Sequence, residues 1–269
     1  MHGTQKETLI RYERSIKMIK IEHVETLGWE AAIRGMRNPM NSWDKSDSLI
    51  PCYRKTKCHE CDANQKCSYY FECGEPYKKD EFIGPNDFDL MKRLCNAGTD
   101  HRKFMRMITV YLDITAPLYW WKEFDTYKVG TVANSCSTMH KIADKEFILD
   151  DFSHEHLCDD EIALLEEIVA CLNVNRTAFI AENDKRVGRY TVMSDECYAK
   201  YKKTFWWQMI QLLPSSYNQR RTVMLNYEVL ANMYKSRKNH KLDEWVDFCA
   251  EIERLPYSEL ITKKEDDQK

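Results

Sequence analysis

The sequence predicts an α/β (α+β) chain, a twisted sheet flanked by helices, with a small cysteine-rich insertion. Three observations carry this. Residues 105–114 (MRMITVYLDI) alternate and are rich in β-branched and aromatic side chains, as a half-buried strand requires. Residues 86–97, 159–172 and 195–213 place apolar side chains at helical spacing. Between Cys52 and Cys73 stand five of the eleven cysteines, in a stretch poor in the aliphatic residues a core needs.

Taken in order, residues 1–17 are charged and read as an arm or a first helix, 18–26 as a strand and 29–36 as a short helix. Asn38-Pro39 and Asn41-Ser42 are turn chemistry. The insertion spans 46–85. The helix over 86–97 has Asn86 or Asp87 as its cap and stops at Gly98. His101 follows in a polar turn, then the strand, which the Ala116-Pro117 step breaks. Trp120, Trp121, Phe124 and Tyr127 then predict a helix over 118–128. Residues 130–140, with Asn134, Cys136, Ser137 and Thr138, read as a small-residue loop suited to close backbone approach by a ligand. The helix over 159–172 carries acids in its first turn, complementing its dipole. Residues 176–194 read as a loop or an irregular pair of strands. The helix over 195–213 ends at Pro214, with Trp206 and Trp207 as core. The organisation is 1–45, the insertion 46–85, a main part 86–256 and a charged tail 257–269.

A formal charge of −3, with 31% charged residues, argues against a general nucleic-acid coat but not against nucleotide binding. No run of about 18 apolar residues exists, so no membrane span is expected. The first twenty residues lack an apolar signal core, which predicts a cytoplasmic protein. An odd cysteine count fits reduced thiols or a metal better than a disulfide framework. Cys58 and Cys61 form a C-x2-C knuckle, and Cys67 and Cys73 would complete a tetrahedral zinc site. A flexible thiol-rich loop, disulfides or an iron–sulfur cluster are the other readings of this segment.

Two blocks of residues resemble the flavin-dependent thymidylate synthases, the ThyX family. In the first, a strand ends at Ala116-Pro117 and a short helix follows. Thr126-Tyr127-Lys128, seven residues and Cys136 then occupy the frame of the family's Arg-His-Arg, seven residues and Ser. A one-residue insertion would place Ser137 there instead. His101 lies sixteen residues before Pro117, where the family has a flavin-contacting histidine. In the second block, counted from Pro214, the residues Asn226, Leu230, Asn232 and Arg237 fall on the family's Asn, Leu, Asn and essential Arg. His240 falls within a residue of its flavin-contacting His, and Trp245 near its Gln-Trp. Arg37, Asn41 and Ser42 are the nearest counterparts of its Arg-x-Ser turn at the flavin.

The resemblance implies FAD as cofactor, NADPH and methylenetetrahydrofolate as co-substrates, a homotetramer, and one-carbon transfer to C5 of a pyrimidine nucleotide. It implies flavin contacts from Ser42, His101, Lys128, Asn134, Asn226, Asn232 and His240, substrate contact from Cys136 or Ser137, and ring activation by Arg237. Asparagine suits such work because its amide offers paired donor and acceptor groups to a ring edge. A fixed arginine beside a ring carbonyl stabilises developing negative charge. Departures are also plain. Thr126, Tyr127 and Ile210 replace phosphate-binding or neighbouring basic residues, and Lys128 keeps charge without the planar fork. Glu123 and Glu228 replace a glutamine and an arginine. With Thr126, they predict an altered substrate contact: a carboxylate accepts from an exocyclic amine, which favours a cytosine-like ring or a base within a polymer. The alternative is a non-catalytic scaffold that binds a nucleotide or a protein partner.

Overall fold

The computed structural model describes residues 19–48, 83–181, 186–187 and 191–262. A four-stranded sheet contains β1 (Lys20–Leu27), β2 (Thr109–Pro117), β3 (Val132–Ser135) and β6 (Asn218–Asn226) in the order β1-β2-β6-β3. β3 pairs antiparallel with β6, with Val132 opposite Met224 and Ser135 opposite Arg221. A two-stranded ladder joins β4 (Arg186–Val187) to β5 (Thr191–Val192). The helices, in chain order, are α1 (Trp29–Arg37), α2 (Pro85–Asn96), α3 (Leu118–Phe124), α4 (Thr138–Lys141), α5 (Asp159–Ile180), α6 (Asp195–Leu212), α7 (Tyr227–Arg237), α8 (Asp243–Glu253) and α9 (Glu259–Thr262). The chain divides into two compact units. The first comprises Met1–Val24, Tyr111–Met224 and Asn239–Phe248, the second Glu25–Val110, Leu225–Lys238 and Cys249–Lys269.

The first unit has two apolar centres. Around α3, Trp120 stacks edge-on to Trp121 at 4.9 Å and lies 4.8 Å from Trp245 and 5.7 Å from Phe248. All four are buried. Truncating any one of these rings to alanine is expected to cost about 3–5 kcal/mol. The second centre gathers Ile142, Phe147, Phe152, Leu165, Val169, Leu172 and Met209, where α5 packs on α6. Leu165, Val169 and Leu172 form the buried stripe of α5 at the spacing one helix face demands.

In the second unit, Trp29, Ala32, Ile33 and Met36 bury one face of α1. Trp29 meets Tyr227 and Tyr257 edge-on at 5.1 and 5.3 Å. α1 opens at Gly28, whose φ of +91° and whose 2.0 Å approach of a built Cβ to the Met107 carbonyl both exclude a side chain. The start of α2 is held from afar: the Asp47 carboxylate accepts from the backbone N–H groups of Asn86 and Asp87 at 2.9 and 3.0 Å. Gly84 supplies the room, since a Cβ there would meet that carboxyl group at 2.3 Å.

Several sequence expectations are corrected. Neither Asn86 nor Asp87 caps α2; Gly84 holds the cap position and Asp47 does the bonding. Residues 103–107 are a 3-10 turn, and β2 runs from Thr109 through Ala116 to Pro117, so the proline ends the strand by starting α3. α3 stops at Phe124, leaving Tyr127 beyond it. The stretch 130–140 contains β3 and α4. α5 continues to Ile180, eight residues past the expected end. Trp207 is 46% exposed; only Trp206 packs on the core, its indole N–H donating to the Met139 carbonyl at 2.9 Å. The charged arm 1–17 and Cys58, Cys61, Cys67 and Cys73 lie outside the described residues.

Candidate functional site

In the first unit a cleft of about 700 Å³ opens beside the β6 strand, and Cys136 and Ser137 line it with Gln219, Arg220, Tyr217 and Lys141. The loop bearing Cys136 is fixed at both its backbone groups. Its N–H donates to the Arg220 carbonyl at 3.0 Å, and its carbonyl accepts from Gln219 Nε2 at 2.9 Å. Ser137 is the N-cap of α4, its Oγ accepting from the His140 N–H at 3.1 Å. The Cys136 thiol is exposed. Four cations line the cleft, and each has a carboxylate neighbour: Lys20 with Glu22, Arg220 with Asp113, Lys141 with Asp144, and Lys145 with Asp151. A phosphate entering here would compete with those carboxylates, so the cleft is polar and balanced rather than an anion trap.

Elsewhere in this unit Glu123 accepts from the Trp245 indole at 3.1 Å, and His240 Nε2 lies 3.5 Å from the same oxygen. The structure thus brings together Glu123 and His240, which the sequence assigned to substrate and flavin. Thr126 is exposed and hydrogen-bonds the Glu123 carbonyl at 2.7 Å. Lys128 and Asn134 are exposed and lie outside the cleft lining, Asn134 opposite Thr222 in the β3–β6 pair.

Deeper in the unit, Glu244 is fully buried and bonded to the Tyr119 hydroxyl, while its Oε2 has no hydrogen-bond partner among the described residues. Burial raises the Glu244 carboxyl above the ordinary range and, with Glu244 beside it, raises Tyr119 as well.

The second unit pairs its buried charges. Arg37 Nε donates to Asp87 Oδ1 at 2.6 Å, and Arg37 Nη1 reaches the Ser42 carbonyl at 3.2 Å and its Oγ at 3.4 Å. Ser46 and Ser48 donate to Asp87 Oδ2 at 2.7 and 2.6 Å. Burial opposes the Asp87 charge, but the hydrogen bonds from Ser48, Ser46 and Arg37 outweigh it and hold the carboxyl below its usual range. Ser42 is therefore buried inside this knot.

On α7, Glu228 and Asn232 are joined by Arg102, a residue the sequence reading passed over. Arg102 Nη2 donates to Glu228 Oε1 at 3.0 Å and to Asn232 Oδ1 at 3.4 Å. Its Nε lies 2.9 Å from Glu228 Oε2 but out of line for a hydrogen bond. Arg102 and Glu228 are buried, Asn232 exposed. Asn226 is the N-cap of α7, its Oδ1 accepting from the Val229 N–H at 3.0 Å. Arg237 ends α7, half-buried, and its charge offsets part of the rise that burial and Glu253 impose on the Cys249 thiol, which is pushed up to about 12. His101 is exposed, its backbone N–H bonded to the Gly98 carbonyl at 3.1 Å. Among the described residues no three His, Cys, Asp or Glu side chains cluster as a metal site.

No protein-family model and no curated protein matches the chain. Solved structures do. Thymidylate synthase X (ThyX) from Helicobacter pylori, with FAD and dUMP, superposes with a TM-score of 0.55 at 14% identity over 92% of this chain and 97% of that one. The fold is that of the flavin-dependent thymidylate synthases. A second ThyX structure from Helicobacter pylori, also with FAD and dUMP, gives 0.52 at 15% identity over 92% and 98%. A UMP/dUMP methylase, PolB, from Streptomyces cacaoi bound with 5-Br dUMP gives 0.47 at 11% identity over 88% of each chain. With the ThyX fold in place, the missed residues have a retrospective signal: Arg102 adjoins His101 in the same turn, and Gln219 and Arg220 follow Pro214 in the second block of resemblance.

Proposed function

We propose that the chain is a flavin-dependent enzyme that transfers a one-carbon unit to C5 of a pyrimidine nucleotide. The observation that carries this reading is the ThyX-like fold combined with Cys136 and Ser137 in a polar cleft on a rigid loop. FAD, when bound, supplies the redox chemistry; NADPH and methylenetetrahydrofolate are its proposed co-substrates. In the first unit, Cys136 and Ser137 touch the nucleotide. In the second, Asn232 and His101 serve the flavin, and Arg237 provides the cation for a ring carbonyl. Self-association into a homo-oligomer is part of the proposal.

The two carboxylates that suggested a cytosine-like ring already have donors, Glu228 from Arg102 and Glu123 from Trp245. That removes the main reason for preferring an exocyclic amine, and a ring carrying carbonyls becomes the better substrate. The second reading, a nucleotide- or protein-binding scaffold without catalysis, is favoured by one observation: each cation of the cleft stands beside a carboxylate.

The deciding experiment is an absorbance spectrum of the purified protein, followed by FAD addition and assays with dUMP and dCMP. Flavin bands near full occupancy and a 5-methylated product support the enzyme. Colourless protein that takes up no FAD overturns it.

A further inference from the structure

We propose that Arg102 is a positioning residue: anchored by Glu228, it fixes the amide of Asn232 so that its N–H donors face outward to receive a ring carbonyl of the flavin. This rests on the flavin reading above and deepens it.

The argument is one of hydrogen-bond polarity. A guanidinium has only donors, so the amide atom it bonds must be the oxygen. The Asn232 orientation is thus fixed by the partner's chemistry. With Oδ1 held at 3.4 Å by Arg102 Nη2, Nδ2 turns away from the guanidinium, on a residue that is exposed. Two donors at an exposed position select an acceptor, and an isoalloxazine edge offers ring carbonyls.

Glu228 makes the arrangement rigid. It precedes Asn232 by four positions on α7, so both lie on one face of the helix. One carboxylate oxygen takes a hydrogen bond from Arg102 Nη2 and the other lies 2.9 Å from Nε as an ion-pair contact, which anchors the guanidinium beside α7 where it reaches Asn232. Arg102 is 9% exposed and Glu228 6%. A pair buried so deeply is weak evidence for stability, because an apolar pair of similar volume often serves as well. Its retention needs another reason, and the exposed amide it holds supplies one.

The test uses the full chain and FAD titration by fluorescence quenching, with melting temperature recorded in parallel. The double variant Arg102→Met/Glu228→Leu removes the pair without stranding a charge, so its melting temperature should hold. Its FAD affinity should fall about tenfold, since the freed amide no longer presents donors by default. Arg102→Lys, still donor-only, should keep affinity within about threefold of native. Asn232→Asp, which offers oxygens only, should lose tenfold or more. A double variant that melts normally and binds FAD as the native protein does overturns the inference. Native protein that binds no FAD overturns the functional reading instead. The positioning of the amide, which needs no flavin, is then decided by a crystal structure: Asn232 turned onto Arg102 supports it, and Asn232 swung away overturns it.

Discussion

The two units of this chain bury carboxyl groups by opposite means. In the second, Asp87 and Glu228 each lie against a buried arginine, and Asp87 takes further hydrogen bonds from Ser46 and Ser48. In the first, Glu244 lies fully buried beside a tyrosine hydroxyl, with one oxygen unpartnered among the described residues. Burial disfavours charge in both places. At Asp87, where a cation and several donors are supplied, the carboxyl is pulled down and stays ionised; at Glu244, beside a single hydroxyl, it is pushed up toward neutrality. Burial alone therefore says nothing about the charge a side chain carries. Its partners decide.

The largest test of this contrast is Asp87→Ala. It strands the Arg37 guanidinium, 4% exposed, and should cost about 3–5 kcal/mol by chemical denaturation. Glu244→Gln strands no charge and should cost less than about 1 kcal/mol at neutral pH. Equal losses would erase the distinction.

The pH dependence sharpens it. Asp87 titrates below its unfolded value, so its contribution is present above the ordinary carboxylate range and is lost as pH falls below about 4. Glu244 titrates above its unfolded value, so its contribution is present below about pH 4.3 and is lost as pH rises through the folded value. Urea midpoints measured from pH 3 to 8 should show Asp87→Asn relieving acid-side loss. Glu244→Gln should gain on native protein as pH rises. The same slope for both variants would contradict the assignment.

A smaller comparison concerns helix starts. Asn226 caps α7, the eleven-residue helix whose first two turns are largely buried, and Asn226→Ala should cost about 1 kcal/mol. Ser137 caps the four-residue α4, so Ser137→Ala should cost about 0.5 kcal/mol in the same denaturation assay. A large loss at Ser137 would mean that the cleft loop depends on that cap more than on Gln219.

How much was legible follows from distance along the chain. The strand through 109–114 and the helices at 86–96 and 195–212 were readable, because side-chain period is set by neighbours a few positions apart. The extra eight residues of α5 were not: Asn173, Asn175, Arg176 and Thr177 read as a polar loop, yet no Gly or Pro stops the helix there, and tertiary bonds from Asn173 to Phe147 and from Arg176 to Ala143 hold the added turns. Of the candidate site, Cys136, Ser137, Asn226 and Asn232 were singled out through the resemblance, and only Cys136 and Ser137 line the cleft; what each one bonds was not legible.

The sequence by itself determined the periodicities, the turn residues and the offsets that link this chain to the ThyX fold. Tertiary structure decided which way burial and partners push Asp87 and Glu244, and which donors are already bonded. Arg102 and Glu228 are 126 positions apart and Trp245 and Glu123 are 122 apart, and no local rule couples such residues. Their pairing exists only once packing has brought them within hydrogen-bond reach, where the cost of leaving a buried charge alone selects the partner.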